Sequence, residues 1–182
     1  MEYETLIYET TADKVAIITI NRPEAMNSFT MGMRREFDDV WKRIREDEDV
    51  HAVVLRAAPG RAFSSGADVK AHAIERVEGT DNIWNMTDPG ESFGPRSNRV
   101  WKPVITAVHG ICCAGAFYFL NEADIVICSE EAQFFDPHVS YGLVCAVEPI
   151  GQSYRLPLQE VLRIALLGND ERVSAQTALR IG

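Results

Sequence analysis

Gly60-Arg61-Ala62-Phe63-Ser64-Ser65-Gly66-Ala67-Asp68-Val69-Lys70 follows an apolar, β-branched run, Ala52-Val53-Val54-Leu55. The stretch is made of small residues around Gly66, which permits a sharp turn and a close approach of another molecule to the backbone. A second small-residue turn, Gly110-Ile111-Cys112-Cys113-Ala114-Gly115-Ala116, follows another strand-like run, Val104-Ile105-Thr106-Ala107-Val108. Either glycine turn alone is an ordinary tight turn. Two of them after two strands can aim two backbone N–H groups at one carbonyl oxygen, the geometry of an oxyanion hole.

Around these turns the chain alternates strand, turn and helix. Tyr3 to Thr10 and Val15 to Ile20 read as paired strands about a Thr-Ala-Asp-Lys turn. From Thr30 to Arg45 the apolar residues Met33, Phe37, Val40, Trp41 and Ile44 fall on one helical stripe. The runs 52–57, 104–109 and 123–128 read as buried strands of a largely parallel sheet. The polar, Gly- and Pro-containing stretch 71–99 has no clear period. Pro157 to Leu167 is an amphipathic helix followed by Gly168, and Ser174 is the N-cap of a helix running to Ile181. The 182 residues read as a single domain.

Composition narrows the function. The chain carries 27 acidic and 18 basic residues, a net charge of −9, and so is poorly suited to nonspecific nucleic-acid binding, which rests on Lys and Arg against phosphates. No apolar run approaches membrane-spanning length. The N-terminus has no signal-peptide pattern, so a cytoplasmic protein is expected. The cysteines, Cys112, Cys113, Cys128 and Cys145, form no C-x-x-C pair and have no zinc-type histidine spacing. They read as reduced, buried residues, and no metal site is expected.

Together these segments resemble the crotonase superfamily, the enoyl-CoA hydratase/isomerase family. Val15-Ala-Ile-Ile-Thr-Ile-Asn-Arg-Pro-Glu-Ala-Met-Asn-Ser28 looks like its first strand and turn, and 62–70 like its first oxyanion loop. Lys102-Pro-Val-Ile-Thr-Ala-Val-His-Gly110 leads into the second, and Ala123–Phe134 and Leu167–Gly182 match further along. The resemblance implies an α/β fold, a spiral of ββα units assembled as a homotrimer or a dimer of trimers. It implies an acyl-CoA substrate, with coenzyme A as part of that substrate and no permanently bound cofactor. The N–H donors would be those of Ala67 and Gly115. CoA would lie along Met26, Ser64, Ser65, Ala67, Asp68 and Val69, with Arg22, Lys70 or Arg61 near its phosphates. Family members usually continue into further C-terminal helices, so a C-terminally truncated core is expected.

The departures are chemical. Where hydratases of the family place two glutamates, this chain has Tyr118 and His138. Tyrosine is a poor base at neutral pH but a good hydrogen-bond donor, while histidine is a competent acid or base. The set Tyr118 and His138, with Asp136, Glu122 or Glu148 orienting the imidazole or donating a proton, points to isomerisation, hydrolysis or C–C cleavage before simple hydration. Two other outcomes stay open: an ordinary enoyl-CoA hydratase in which Glu148 or Glu122 substitutes, and a catalytically silent CoA-binding scaffold. His138 and Tyr118 also admit purely structural roles, as does Glu148 at the surface. His109 reads as a strand-end residue. Trp84, Phe93, Phe117 and Phe135 are candidates for the acyl pocket or for the core.

Overall fold

A computed structural model describes residues 3–72, 90 and 93–182. Two short sheets lie in it, and the chain passes repeatedly from one to the other. The five-stranded sheet has the order β1 (Leu6–Thr10), β2 (Val15–Ile20), β3 (Ala52–Ala57), β5 (Val104–Val108), β7 (Ile125–Cys128). The four-stranded sheet has the order β4 (Ala62–Ser64), β6 (Ile111–Cys113), β8 (Gln133–Phe135), β9 (Val173–Ser174). β1 and β2 pair antiparallel as the hairpin read from sequence, and β2, β3, β5 and β7 run parallel. Each of β3, β5 and β7 is followed by its partner in the other sheet, β4, β6 or β8. This regular stepping is a spiral of ββ units, so successive turns stack the same kind of loop at the same end of the molecule.

α1 (Met31–Glu46) begins at Thr30, whose hydroxyl accepts from the Met33 N–H at 3.1 Å. The side-chain oxygen satisfies one of the helix's orphan amides. Its apolar stripe, Met33, Phe37, Val40, Trp41 and Ile44, is fully buried. Trp41 Nε1 donates to the Phe93 carbonyl at 2.8 Å. Phe29, Phe37, Phe63, Phe93 and Phe119 form one aromatic cluster with ring centroids 4.5 to 6.1 Å apart, within the range of favourable edge and offset packing. Phe93 is therefore core. We expect Thr30→Ala to cost about 1 kcal/mol of stability, readable as a lower urea midpoint with an unchanged slope.

The remaining helices are α2 (Val69–His72), α3 (Phe117–Glu122), α4 (Val147–Gln152), α5 (Leu158–Leu167) and α6 (Ala175–Ile181). Pro157 sits at the N-cap of α5 and Gly168 follows its end with φ +60°. Ser174 caps α6 by accepting from the Thr177 N–H.

Two expectations are corrected. The 123–128 run is not a buried strand: β7 closes the edge of its sheet, and Ile125 and Ile127 are each 56% exposed. An edge strand has a neighbour on one side only, and among the described residues nothing covers these side chains. The cysteines are also not uniformly buried. Cys112 and Cys113 are, but Cys128 is exposed and Cys145 half-buried, all four as free thiols. Trp84 and most of 71–99 lie outside the described residues. No helix among the described residues is long and apolar enough to cross a membrane.

Candidate functional site

The two glycine turns meet. Gly66 has φ +80°, and a Cβ built on it would lie 2.7 Å from Ala114 Cβ and 3.0 Å from the Gly115 nitrogen. Only a residue without a side chain allows the loops to close this far. The Phe29 N–H donates to the Gly66 carbonyl at 2.8 Å, and the Asp68 N–H donates to the Phe29 carbonyl at 2.9 Å. In such a parallel bridge the residue between, Ala67, keeps its own N–H directed away from Phe29. Gly115 is the second residue of a 3-10 turn, Ala114–Ala116, so its N–H has no partner within the turn. Ala114 before it is held at φ +52°, a conformation costly for a residue with a Cβ. Strain at one non-glycine residue thus sets the direction of the neighbouring amide.

The first loop is fixed from beneath. The Ser64 hydroxyl is fully buried, donating to the Asn27 carbonyl at 2.8 Å and accepting from the Gly66 N–H at 3.2 Å. The Ser65 N–H donates to the Met26 carbonyl, and Asn27 Nδ2 to the Ala62 carbonyl. Arg22 Nη1 donates to the Ser28 carbonyl, to Ser28 Oγ and, at 2.8 Å, to Asp68 Oδ2. The guanidinium is therefore a clamp across the loop, and its contacts are not those of a residue turned out towards a phosphate. Val69, Lys70 and Arg61 are exposed beside the loop.

The Arg22 bond, with the Ala71 N–H, holds the Asp68 carboxyl below its ordinary range against a smaller opposing effect of burial. A carboxylate depressed in the folded state adds stability above its unfolded pKa of about 4 and loses it as acid takes the pH through the lower folded value. Asp68→Asn is therefore expected to lower the melting temperature at pH 7, with the gap from the unaltered protein narrowing below pH ~4. A gap that stays constant with pH would sink this account.

From Gly115 the site continues through side chains. The Tyr118 ring, at the start of α3, lies over Gly115, where an added Cβ would meet Cε2 at 3.0 Å. Tyr118 hydrogen-bonds the carboxyl of Glu148, which is 3% exposed at the start of α4. Burial raises the pKa of Glu148; its own backbone N–H, His138 and the Tyr118 bond oppose this but do not reverse it. Asn121 Nδ2 donates to the Glu148 carbonyl at 3.1 Å, tying α4 to α3.

His138 opens a 3-10 turn, His138–Tyr141, separated from the end of β8 by two residues. Its Nδ1 lies 2.5 Å from Asp136 Oδ1, and its backbone N–H donates to the same oxygen at 3.0 Å. The Cys145 thiol donates to Asp136 Oδ2 at 2.8 Å. Asp136 is 1% exposed; burial works against its ionisation, but the bonds from His138 and Cys145 hold its pKa below normal. Burial, and after it the same carboxylate, push the Cys145 thiol far up.

Several of the expected catalytic residues are thus brought together: Gly66, the residue before Ala67, adjoins Gly115, and Tyr118, Glu148 and His138 with Asp136 form one connected group. Glu122 is not in it. Although one turn beyond Tyr118, its carboxylate is bonded by the Arg96 and Ser97 backbone N–H groups and the Ser97 hydroxyl. His109 is a strand-end residue, its carbonyl accepting from the Phe63 N–H. Phe135 packs under Arg172, with the guanidinium carbon 4.5 Å from the ring centroid. Phe117 lines a cavity of about 680 Å³, which lies between β7, α5 and α6 and does not include Tyr118, Glu148 or Ala67 in its wall. Cys145 was missed as a site residue; Asp-Pro-His at 136–138 was the available signal for a bonded pair, but nothing local pairs either with position 145. Despite the expectation of no metal site, Asp136, His138, Cys145 and Glu148 each offer a ligand atom, all within 4.8 Å of one another.

Residues 10–182 match the family model described as enoyl-CoA hydratase/isomerase. The chain is 34% identical to a short-chain-enoyl-CoA hydratase of Clostridium acetobutylicum, covering 100% of this chain and 68% of that protein. It is 29% identical to an (E)-benzylidenesuccinyl-CoA hydratase of Thauera aromatica, covering 94% and 65%. A probable enoyl-CoA hydratase of Rhizobium meliloti is 33% identical over 79% of this chain and 53% of its own length. The chain thus spans between about half and two-thirds of the length of these relatives. The crystal structure of an enoyl-CoA hydratase/isomerase from Mycobacterium paratuberculosis superposes with a TM-score of 0.88 at 38% identity, over 100% of this chain and 69% of that one.

Proposed function

The chain belongs to the enoyl-CoA hydratase/isomerase family, the crotonase superfamily, and from that premise we propose that it adds water to, or removes it from, an acyl-CoA thioester through an enolate-like state. The observation that carries this reading is the buried Glu148, hydrogen-bonded to Tyr118 over Gly115 and grouped with His138. It supplies the carboxyl group that the sequence lacks at the two usual positions. The balance therefore moves from the single-base reactions towards the hydratase alternative in which Glu148 substitutes.

The chemistry then follows from the donors. Asp136 accepts the proton on His138 Nδ1, which leaves the Nε2 lone pair as the base. Nε2 takes a proton from water as its oxygen attacks the β-carbon. Electrons move to the thioester oxygen, where the Ala67 and Gly115 N–H groups stabilise the charge; one such donor is worth about 3–4 kcal/mol. The Glu148 carboxyl then delivers a proton to the α-carbon, steadied by Tyr118. The proton left on His138 returns to Glu148 within the cluster, and the site is restored. Dehydration is the same path reversed. Met26, Ser65, Asp68 and Val69 border the first loop and, with Lys70 and Arg61 exposed beside it, form the edge along which CoA would lie. A chain of this kind would assemble as a homotrimer or a dimer of trimers.

The test is a panel of enoyl-CoA thioesters incubated with the protein and read by mass spectrometry. Gain of one water, lost in Glu148→Gln, supports the proposal. Isomerisation at unchanged mass would favour the single-base reading with His138. Release of free CoA would make it a hydrolase. No change on any substrate, with CoA binding intact, would leave a silent binder.

A further inference from the structure

The acid–base cluster holds more ligand chemistry than the reaction uses. Asp136 stands at the end of β8, His138 in the turn after it, and Cys145 and Glu148 on the segment folded back over both. Two carboxylates, an imidazole nitrogen and a thiol converge from these elements, with one potential ligand atom from each inside 4.8 Å. Asp136 and Glu148 are buried, and His138 and Cys145 half-buried, so the group is shielded without being sealed. Cys145 has no part in the proposed reaction.

We propose that Asp136, His138, Cys145 and Glu148 bind a divalent cation of the zinc class, and that its binding silences the acid–base chemistry. The donor set selects the metal. A thiolate and an imidazole favour zinc and its neighbours, whereas magnesium and calcium prefer all-oxygen sites. Four donors of this mixed type match a tetrahedral ion.

The protons balance without any redox step. The dication displaces the Cys145 thiol proton, and any proton on Glu148, into solvent. It bonds His138 at Nδ1, and the proton there moves to Nε2. Nε2 then carries a hydrogen and has no lone pair for water, while the Glu148 carboxylate is held by the ion and has no proton to give. The effect on turnover rests on the hydratase reading above; the binding does not.

The experiment titrates chelator-treated protein with zinc sulfate by calorimetry and with cobalt(II) by absorbance. One ion per chain, proton release and a thiolate-to-cobalt charge-transfer band are expected. Cys145→Ser should abolish the band and weaken binding by more than the about 10- to 100-fold that loss of an outer-shell partner costs. Cys128→Ser, which alters the exposed thiol on β7, should bind as the unaltered protein does. The cobalt band is read on the unaltered chain, so it holds even if a variant fails to fold. No binding, no band, or a site lost with Cys128 instead would overturn the proposal. Where a thioester is turned over, one equivalent of zinc should stop it and chelation restore it; binding without inhibition would overturn the silencing. Absence of turnover in metal-free protein would count against the hydratase reading alone, since calorimetry and the cobalt band stand apart from it.

Discussion

Replacement of His138 by alanine is expected to lower thioester turnover by about 10²–10⁴-fold, the usual contribution of a positioned general base, while CoA binding is unchanged. His138 is held by Asp136 through two bonds, from ring Nδ1 and from the backbone N–H, so its orientation is determined. Residues bordering the first oxyanion loop are on separate elements, and truncating His138 leaves them in place. The effect should therefore fall on kcat and spare KM. Asp136→Asn should give a smaller fall, because an amide can still hold the ring but no longer stabilises its charged form. Direct calorimetry with CoA separates a lost base from a collapsed site. Full activity in His138→Ala would remove the residue from the mechanism and return the chemistry to Glu148 alone.

Gly66→Ala is expected to reduce kcat by about 10²–10³-fold, the cost of losing one oxyanion donor, and to lower stability by about 1–2 kcal/mol for a side chain in the left-handed region. At φ +80° the new methyl would stand 2.7 Å from Ala114 Cβ, 3.0 Å from the Gly115 nitrogen and 3.2 Å from the Cys113 carbonyl. All three are main-chain or Cβ atoms of the second turn, so no flexible side chain can yield. The loops must separate, and with them the Ala67 and Gly115 amides. Unlike His138→Ala, this change should lower activity on every thioester by a similar factor, since every substrate presents the same oxygen. Thermal melting measures the strain independently. Normal kcat in a folded Gly66→Ala protein would mean that the two turns do not act together.

Much of this was legible along the chain. The strand at Val15–Ile20, the stripe of α1 and the cap at Ser174 are local patterns, and the structure has them within a residue or two. The two glycine turns were visible because few residues other than glycine tolerate such backbone positions. Tyr118 and His138 could be placed because short, recognisable segments surround them. Glu148 could not, since the segment around it resembles nothing as closely and the residue looked equally suited to the surface. Arg22 looked like a free cation because its partner, Asp68, is 46 residues away. β7 looked buried because an apolar run carries no mark of whether another layer lies over it.

The sequence by itself therefore determined the elements, the order of the two turns and the family to which they belong. These depend on backbone preference and hydrophobic period, which act over a few neighbouring residues. Only the tertiary structure decided that Glu148 meets Tyr118, that Asp136 holds both His138 and Cys145, and that Glu122 turns away to the 96–97 backbone. The contacts of Glu148 and Cys145 arise where the 143–152 segment folds back across β8 and α3. Burial then forces each polar group in that fold to find whichever partner the packing has placed within reach.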